Sequence, residues 1–214
     1  FSVVRDAFEA NFLADEELGA SAAVTVDGQY VVDLWAGQRN HNGDPWERDT
    51  IVNVYSTTKT MASICILMLA DRGVIDFQKP VAEYWPEFGS NGKGSVLVRH
   101  VMTHQTGCSG FPRPVTPEEL YDHDLMADLL AGMEPWWEPG TAPGYHAITQ
   151  GTLQAELMRR IDGRTLGTFF RDEVTAPLGA DFHIGLPLSE GHRVAQLDVP
   201  QEGIDQIVES DPDS

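Results

Sequence analysis

The sequence predicts an α+β protein built from more than one domain, with an antiparallel sheet flanked by helices and a mainly helical part. Three observations carry this expectation: a helix–strand–strand opening, one long apolar helix in the first third, and a proline-broken second half without period-2 strands. Residues 3–13 place Val4, Phe8, Phe12 and Leu13 at helical spacing. Ala20 to Val26 reads as a strand, Asp27-Gly28 supplies a tight turn, and Gln29 to Trp35 returns as the partner strand. A polar stretch, Gly37 to Asp49, leads to a short apolar run, Ile51 to Tyr55. The longest helical pattern follows, from about Ser56 to Asp71, with Met61, Ile64, Cys65, Met68 and Leu69 on one stripe and Gly73 as its stop. From Val74 onward short helical pieces alternate with Pro80, Pro86, Pro112, Pro114, Pro117, Pro135, Pro139 and Pro143. Helices are expected at Ile148 to Arg160, with Leu153, Leu157 and Ile161 turned inward, and at Leu166 to Val174. The tail from Gln201 to Ser214 is acidic and has little to bury.

Charge narrows the partners. Fourteen Lys and Arg stand against thirty-three Asp and Glu, a net charge of −19 that repels phosphate backbones and anionic headgroups. Neither nucleic acid nor a membrane is expected as a partner. The acidic residues are spread along the chain, as a solvated surface requires, and imply nothing about a substrate. The two cysteines, Cys65 and Cys108, have no CxxC or metal spacing and read as free thiols. No apolar run reaches the ~20 residues that span a bilayer, and the first residues lack the pattern of a signal peptide, so a cytoplasmic location is expected. His-Glu-x-x-His and His-x-His are absent, and no metal or cofactor is expected. An α/β-hydrolase elbow is also missing, since Gly107-Cys108-Ser109-Gly110-Phe111 fails at its last position.

The chemistry concentrates in two places. Ser56-Thr57-Thr58-Lys59 stands where the apolar run meets the long helix. A serine there lies at the positive end of the helix dipole, and Lys59 is one turn further on the same side. A serine hydroxyl is a poor nucleophile at neutral pH, and a lysine of lowered pKa can activate it. The plain alternative is an N-capping serine followed by a surface lysine. Further on, Trp137-Glu138-Pro139-Gly140 leads into Pro143-Gly144-Tyr145-His146-Ala147, a stiffened loop able to hold a tyrosine hydroxyl at a cleft. By itself Tyr145 also reads as a loop aromatic with its hydroxyl in water.

These two strings, with Val101-Met102-Thr103-His104-Gln105-Thr106-Gly107 between them and Pro177-Leu178-Gly179 and Ile184-Gly185-Leu186-Pro187 after, resemble the family VIII carboxylesterases, relatives of class C β-lactamases and D-Ala-D-Ala peptidases. The resemblance runs from the first helix to about Leu197 and implies a β-lactamase/penicillin-binding-protein-like fold. It also implies Ser56 as nucleophile, with Lys59 and Tyr145 as the general base and acid, in hydrolysis of short-chain carboxylic esters through an acyl-enzyme. The Ser56 N–H would supply half of an oxyanion hole. β-Lactamases carry asparagine two residues after the tyrosine; Ala147 stands there and favours an ester. The rivals are a β-lactamase or D-aminopeptidase, and a binding protein that keeps the fold without turnover. Trp136, Trp137 and His146 are candidates for contact with substrate; either tryptophan could instead simply pin the loop, and His146 suits packing or loop ordering at least as well. His104 reads as a turn residue bonding backbone carbonyls beside a left-handed Gly107, and Asn53 as a backbone-bonding residue.

The same resemblance divides the chain into residues 1–73, the first part of an α/β domain, residues 74–200, a mainly helical domain, and residues 201–214, a linker. The family's third motif, Lys-Thr-Gly or an equivalent, is not found; Lys93-Gly94-Ser95 has the wrong order and place. The remaining strands of the sheet are expected on a companion C-terminal polypeptide or segment.

Overall fold

The computed structural model describes residues 1–14 and 17–197, so the acidic tail lies outside the described residues. The chain divides into two units, Phe1–Val54 with the segment beginning at Leu186, and Tyr55–Gly185.

The first unit begins with α1 (Ser2–Leu13) and the hairpin β1 (Gly19–Val26) and β2 (Gln29–Gly37). Asp27 and Gly28 both take positive φ, 51° and 75°, the backbone a two-residue turn needs to match strand twist. The antiparallel register pairs Gly19 with Gly37 and Val26 with Gln29, with an irregularity between Val24 and Thr25. On α1 only Phe8 and Phe12 are half-buried, their rings tilted at 60° with centroids 5.3 Å apart. Val4 and Leu13, expected on the inner face, are exposed. The run Ile51 to Tyr55 does not extend into a strand. It makes a single parallel bridge, Ile51 to Val194, through Ile51 N–H to Arg193 O (3.0 Å) and Ala195 N–H to Ile51 O (2.7 Å). Gln196 N–H continues the attachment to Arg39 O (2.7 Å), so a segment late in the sequence completes the opening unit.

The second unit is built on α2 (Thr57–Asp71), α5 (His123–Gly132), α6 (Thr149–Asp162) and α7 (Leu166–Phe170), with the short helices α3 (Val98–Met102) and α4 (Pro117–Leu120) between them. The buried face of α2 is Ala62, Cys65, Ile66 and Leu69, an i, i+3, i+4, i+7 set rotated by one position from the expected stripe. Ile64, Leu67 and Met68 line an open groove on the outer side with Asp71 and Arg72. Leu153, Leu157 and Met158 of α6 meet Phe169 and Phe170 of α7 in the core, and Trp85 and Phe88 close it. Each such side chain contributes about 1.5–3 kcal/mol by leaving water. The helix expected at Leu166 to Val174 changes at Phe170 into a π-turn, Arg171–Thr175. Cys65 and Cys108 are buried free thiols, and burial raises both above the ordinary thiol range.

Two polar arrangements fix this unit. The last carbonyls of α5 lack partners within their own helix. Ser90 Oγ donates to Ala131 O (2.8 Å), Asn91 Nδ2 to Gly132 O (2.6 Å), and the fully buried Lys93 ammonium to Met133 O. Three side chains of one loop therefore cap the helix from outside, with the cation at the negative end of its dipole. On α6, Glu156 is 1% exposed and takes hydrogen bonds from Arg160 (2.6 Å), Arg159 (2.9 Å) and His123 (2.9 Å). Burial alone would raise its pKa, but those donors outweigh it and hold the carboxyl at about 2. The fold is thereby stabilised above the unfolded value near 4.5, and that contribution is lost as pH falls towards 2. Urea unfolding followed between pH 6 and pH 2 is expected to show this loss, and Glu156→Gln should flatten it while lowering stability at neutral pH by about 1–3 kcal/mol.

Candidate active site

Tyr55 turns the chain into α2 at φ 45°, a left-handed conformation that a non-glycine residue adopts only at a cost. The turn leaves Ser56 as the residue just before Thr57, at the N-cap position of the helix. Its side chain does not cap the helix. Instead Ser56 Oγ accepts from Lys59 Nζ at 3.0 Å and from Tyr145 Oη at 2.7 Å. The capping reading of Ser56 therefore does not describe its hydroxyl, and Lys59 is not a free surface lysine. A second Lys59 hydrogen goes to the main-chain carbonyl of Ala147 at 2.7 Å, and the ammonium lies 5.0 Å from the centre of the Tyr145 ring.

Tyr145 reaches Ser56 because its loop is tied to the segment that follows α3. Trp136 N–H donates to Gly107 O (2.8 Å), Gly140 N–H to Gln105 O (2.9 Å) and Gly144 N–H to His104 O (2.9 Å). Trp137 braces the loop from within: its Nε1 donates to Ala142 O (2.8 Å), and its indole lies so close to Gly144 that a Cβ there would stand 2.5 Å from the ring. From the first turn of α6, Thr149 Oγ1 donates to Cys108 O (2.7 Å) and Gln150 Nε2 to Val101 O (3.1 Å).

His146 is fully buried. Its Nδ1 faces the Gly144 carbonyl, which can only accept, so Nδ1 carries the hydrogen. Burial holds the ring pKa below the usual histidine range, and the neutral ring then accepts from Thr106 Oγ1 through Nε2 (2.6 Å). Thr106 in turn accepts from Cys108 N–H (3.1 Å). Both ring nitrogens are occupied inside the protein, and contact with a substrate would require breaking this chain of hydrogen bonds. Trp136 is 59% exposed, with its ring lying on Gly110. Ser56, Lys59 and Tyr145 are thus brought together, Trp137 and His146 are held in contacts within the protein, and Trp136 is exposed.

The sequence carries no sign of the role of the Ala147 carbonyl, and the His-Gln-Thr-Gly string is the only signal of the Thr106 hydroxyl. Gly107 takes the expected positive φ, 79°, but so does His104 itself, at 60°. His104 Nδ1 accepts from His146 N–H (3.0 Å) rather than bonding a carbonyl, because the tyrosine loop presents an amide to it.

The hydrogen bond with Ser56 lowers the Tyr145 pKa from the ordinary tyrosine value, and the hydrogen bond and charge of Lys59 lower it further. A hydroxyl at a helix N-terminus thus has two neighbours able to exchange its proton, one of them a phenol shifted towards ionisation. Among the described residues, no group of three or more His, Cys, Asp or Glu side chains is placed to hold a metal ion, and no helix is long and apolar enough to cross a membrane.

Comparison with known proteins places this arrangement in a family: the profile of the Beta-lactamase family matches residues 5–209, and the chain belongs to that family. Its fold is the β-lactamase/penicillin-binding-protein fold that the sequence motifs implied. The esterase/beta-lactamase LipL of Mycobacterium tuberculosis is 42% identical over 205 residues, covering 94% of this chain and 47% of LipL. Among solved structures, a family VIII carboxylesterase is 46% identical with a TM-score of 0.87, over 91% of this chain and 54% of that one. A penicillin-binding protein homologue from Caulobacter crescentus is 43% identical with a TM-score of 0.89, over 94% of this chain and 54% of that one. The chain spans about half the length of these relatives.

The contacts around Tyr145 give a spectroscopic prediction. Lys59→Met removes a hydrogen bond and a positive charge from the phenol, so the Tyr145 titration should move up towards that of an ordinary tyrosine. Ultraviolet difference titration, with Tyr145→Phe as the subtraction control, measures it; an unmoved titration would mean that Lys59 does not act on the phenol.

Proposed function

We propose that this chain carries the nucleophile and the proton-transfer pair of a serine hydrolase that cleaves short-chain carboxylic esters through an acyl-enzyme. The observation that carries the proposal is the Ser56 hydroxyl, left out of helix capping and held 2.7 Å from Tyr145 and 3.0 Å from Lys59. In acylation, Tyr145 acts from its phenolate form, stabilised by the Lys59 ammonium, and becomes the phenol as it takes the Ser56 proton while Oγ attacks the ester carbonyl. The Ser56 N–H at the start of α2 faces the developing oxyanion. Collapse breaks the bond to the alkoxide, which takes the proton from Tyr145 and leaves as the alcohol. Water then repeats the cycle on the acyl-enzyme, giving the acid and returning the proton to Ser56.

The ester preference rests on Ala147, which offers a main-chain carbonyl to Lys59 and no side-chain amide to grip a β-lactam. The exposed Trp136 indole is assigned to the acyl side of the substrate. A companion segment supplying further strands remains part of the proposal. It is supported by Val24, Val26, Tyr30 and Trp35, which lie exposed on a hairpin whose two strands alone are marginal in water.

Three outcomes are expected of the complete protein. A fluorophosphonate should add to Ser56 alone, as peptide mapping would locate, and an adduct elsewhere would sink the mechanism. Short acyl esters should show a far higher kcat/KM than nitrocefin; the reverse order would assign the site to β-lactams. Lys59→Ala and Tyr145→Phe should each lower kcat by about 10²-fold or more, and the double variant should lose little beyond either single one, because both belong to one proton-transfer unit.

A further inference from the structure

We propose that His104 is the positioning residue of Tyr145: it holds the residues on both sides of that tyrosine, and does so only while its ring is neutral. The inference rests on the assignment of Tyr145 as the group that exchanges the Ser56 proton. Gly144 N–H donates to the His104 carbonyl at 2.9 Å, and His146 N–H donates to His104 Nδ1 at 3.0 Å. The tyrosine therefore hangs between two hydrogen bonds that end on a single residue, and its ring lies 4.9 Å from the His104 ring.

Both bonds need the unusual backbone of His104. At φ 60° the residue turns its carbonyl and its side chain towards the same loop. Histidine is several-fold enriched in this left-handed region, as are asparagine and aspartate, but the conformation still costs free energy and persists where surrounding contacts determine it. The two bonds to the tyrosine loop are such contacts. By contrast, His146 is committed to Gly144 and Thr106 and fixes the loop from beneath without reaching Ser56.

An amide can donate only to a ring nitrogen that carries no hydrogen, so in the clamped state Nδ1 is bare and the hydrogen of the neutral ring is on Nε2. A proton arriving at Nδ1 would set two donors against each other and release His146 N–H. Of the titratable groups facing His104, the positive charge opposes that proton. From α2 comes the Lys59 ammonium, and from the tyrosine loop come the Tyr145 phenol and the neutral His146; Arg99 and His100 precede it on its own segment. Burial first, and Lys59 second, keep its pKa below the histidine value of 6.5. The clamp is therefore closed at neutral pH and opens as pH falls through that lowered value. An enzyme using Tyr145 would lose turnover there without losing its fold.

Two substitutions separate this role from simple packing. His104→Asn keeps an acceptor where Nδ1 stands, tolerates the left-handed backbone and cannot take up a proton. His104→Ala removes the acceptor. In the complete protein, with a short p-nitrophenyl ester, His104→Ala should lower kcat by about 10-fold or more with little change in KM, because misplacement of a proton-transfer group acts on the chemical step. His104→Asn should stay within about threefold of the unmodified kcat, and its acid limb should no longer coincide with that of the unmodified enzyme. An activity-independent readout accompanies these rates: ultraviolet titration should show the Tyr145 phenol moving up in His104→Ala, as it leaves Ser56, and staying lowered in His104→Asn. Equal losses in both variants, an unchanged acid limb in His104→Asn, or an unmoved phenol in His104→Ala would overturn the proposal. If a fluorophosphonate labels Ser56 while these tests fail, only the role of His104 falls. If Ser56 is never labelled, the hydrolase reading falls, and the phenol titrations still decide whether His104 positions Tyr145.

Discussion

Thr106 and His146 lie forty residues apart, and the hydrogen bond between them is fully buried. In the interior such a bond is costly to leave unmade, since either group alone would carry its full desolvation penalty, about 1–3 kcal/mol. It therefore fixes the tyrosine loop to the segment after α3, and the loop's amides then find the carbonyls of Gly107, Gln105 and His104. Placement of Tyr145 against Ser56 follows from this docking. No feature of the loop's own sequence would bring a tyrosine hydroxyl to the start of a helix 89 residues earlier in the chain.

The start of α2 is locally unfavourable. An unused N-cap costs about 1 kcal/mol and a left-handed Tyr55 about 1–3 kcal/mol. Ala62, Cys65, Ile66 and Leu69 bury one face of the same helix among the residues of α6 and α7, and this burial is the larger effect. The helix can thus hold its first turn in a strained state and leave Ser56 Oγ to Lys59 and Tyr145. Gln154 Nε2, donating to Ser63 Oγ at 3.2 Å, fixes α6 against α2 just beyond that turn.

Where a feature depends on neighbours in sequence, it was legible. The hairpin was announced by Asp27-Gly28, α2 by its apolar run and Gly73, and the proximity of Ser56 and Lys59 by helical spacing. Tyr145 was legible only through the resemblance of its motif, because nothing in its spacing links it to Ser56. The buried stripe on α2 lies one position from the one that spacing predicts. Methionine and isoleucine are about as apolar as the residues chosen, and only the placement of α6 and α7 decides which edge is covered. The pairing of Arg39 and Ile51 with residues 193–196, the capping of α5 by another loop and the hydrogen bond to His104 Nδ1 all join distant segments, and single-sequence periodicity carries no information about them.

The capping of α5 by Lys93 has a practical side. The chain contains three lysines, Lys59, Lys79 and Lys93. Lys93 is sealed beneath carbonyls, and Lys59 is held against Ser56. Lys79, half-exposed and paired with Glu83, is left as the one side-chain amine of the described surface that a reagent can reach without disturbing either arrangement. Amine-directed dyes, crosslinkers or surface attachment would therefore modify lysine side chains of the described residues chiefly at the turn before Val81 rather than on α2.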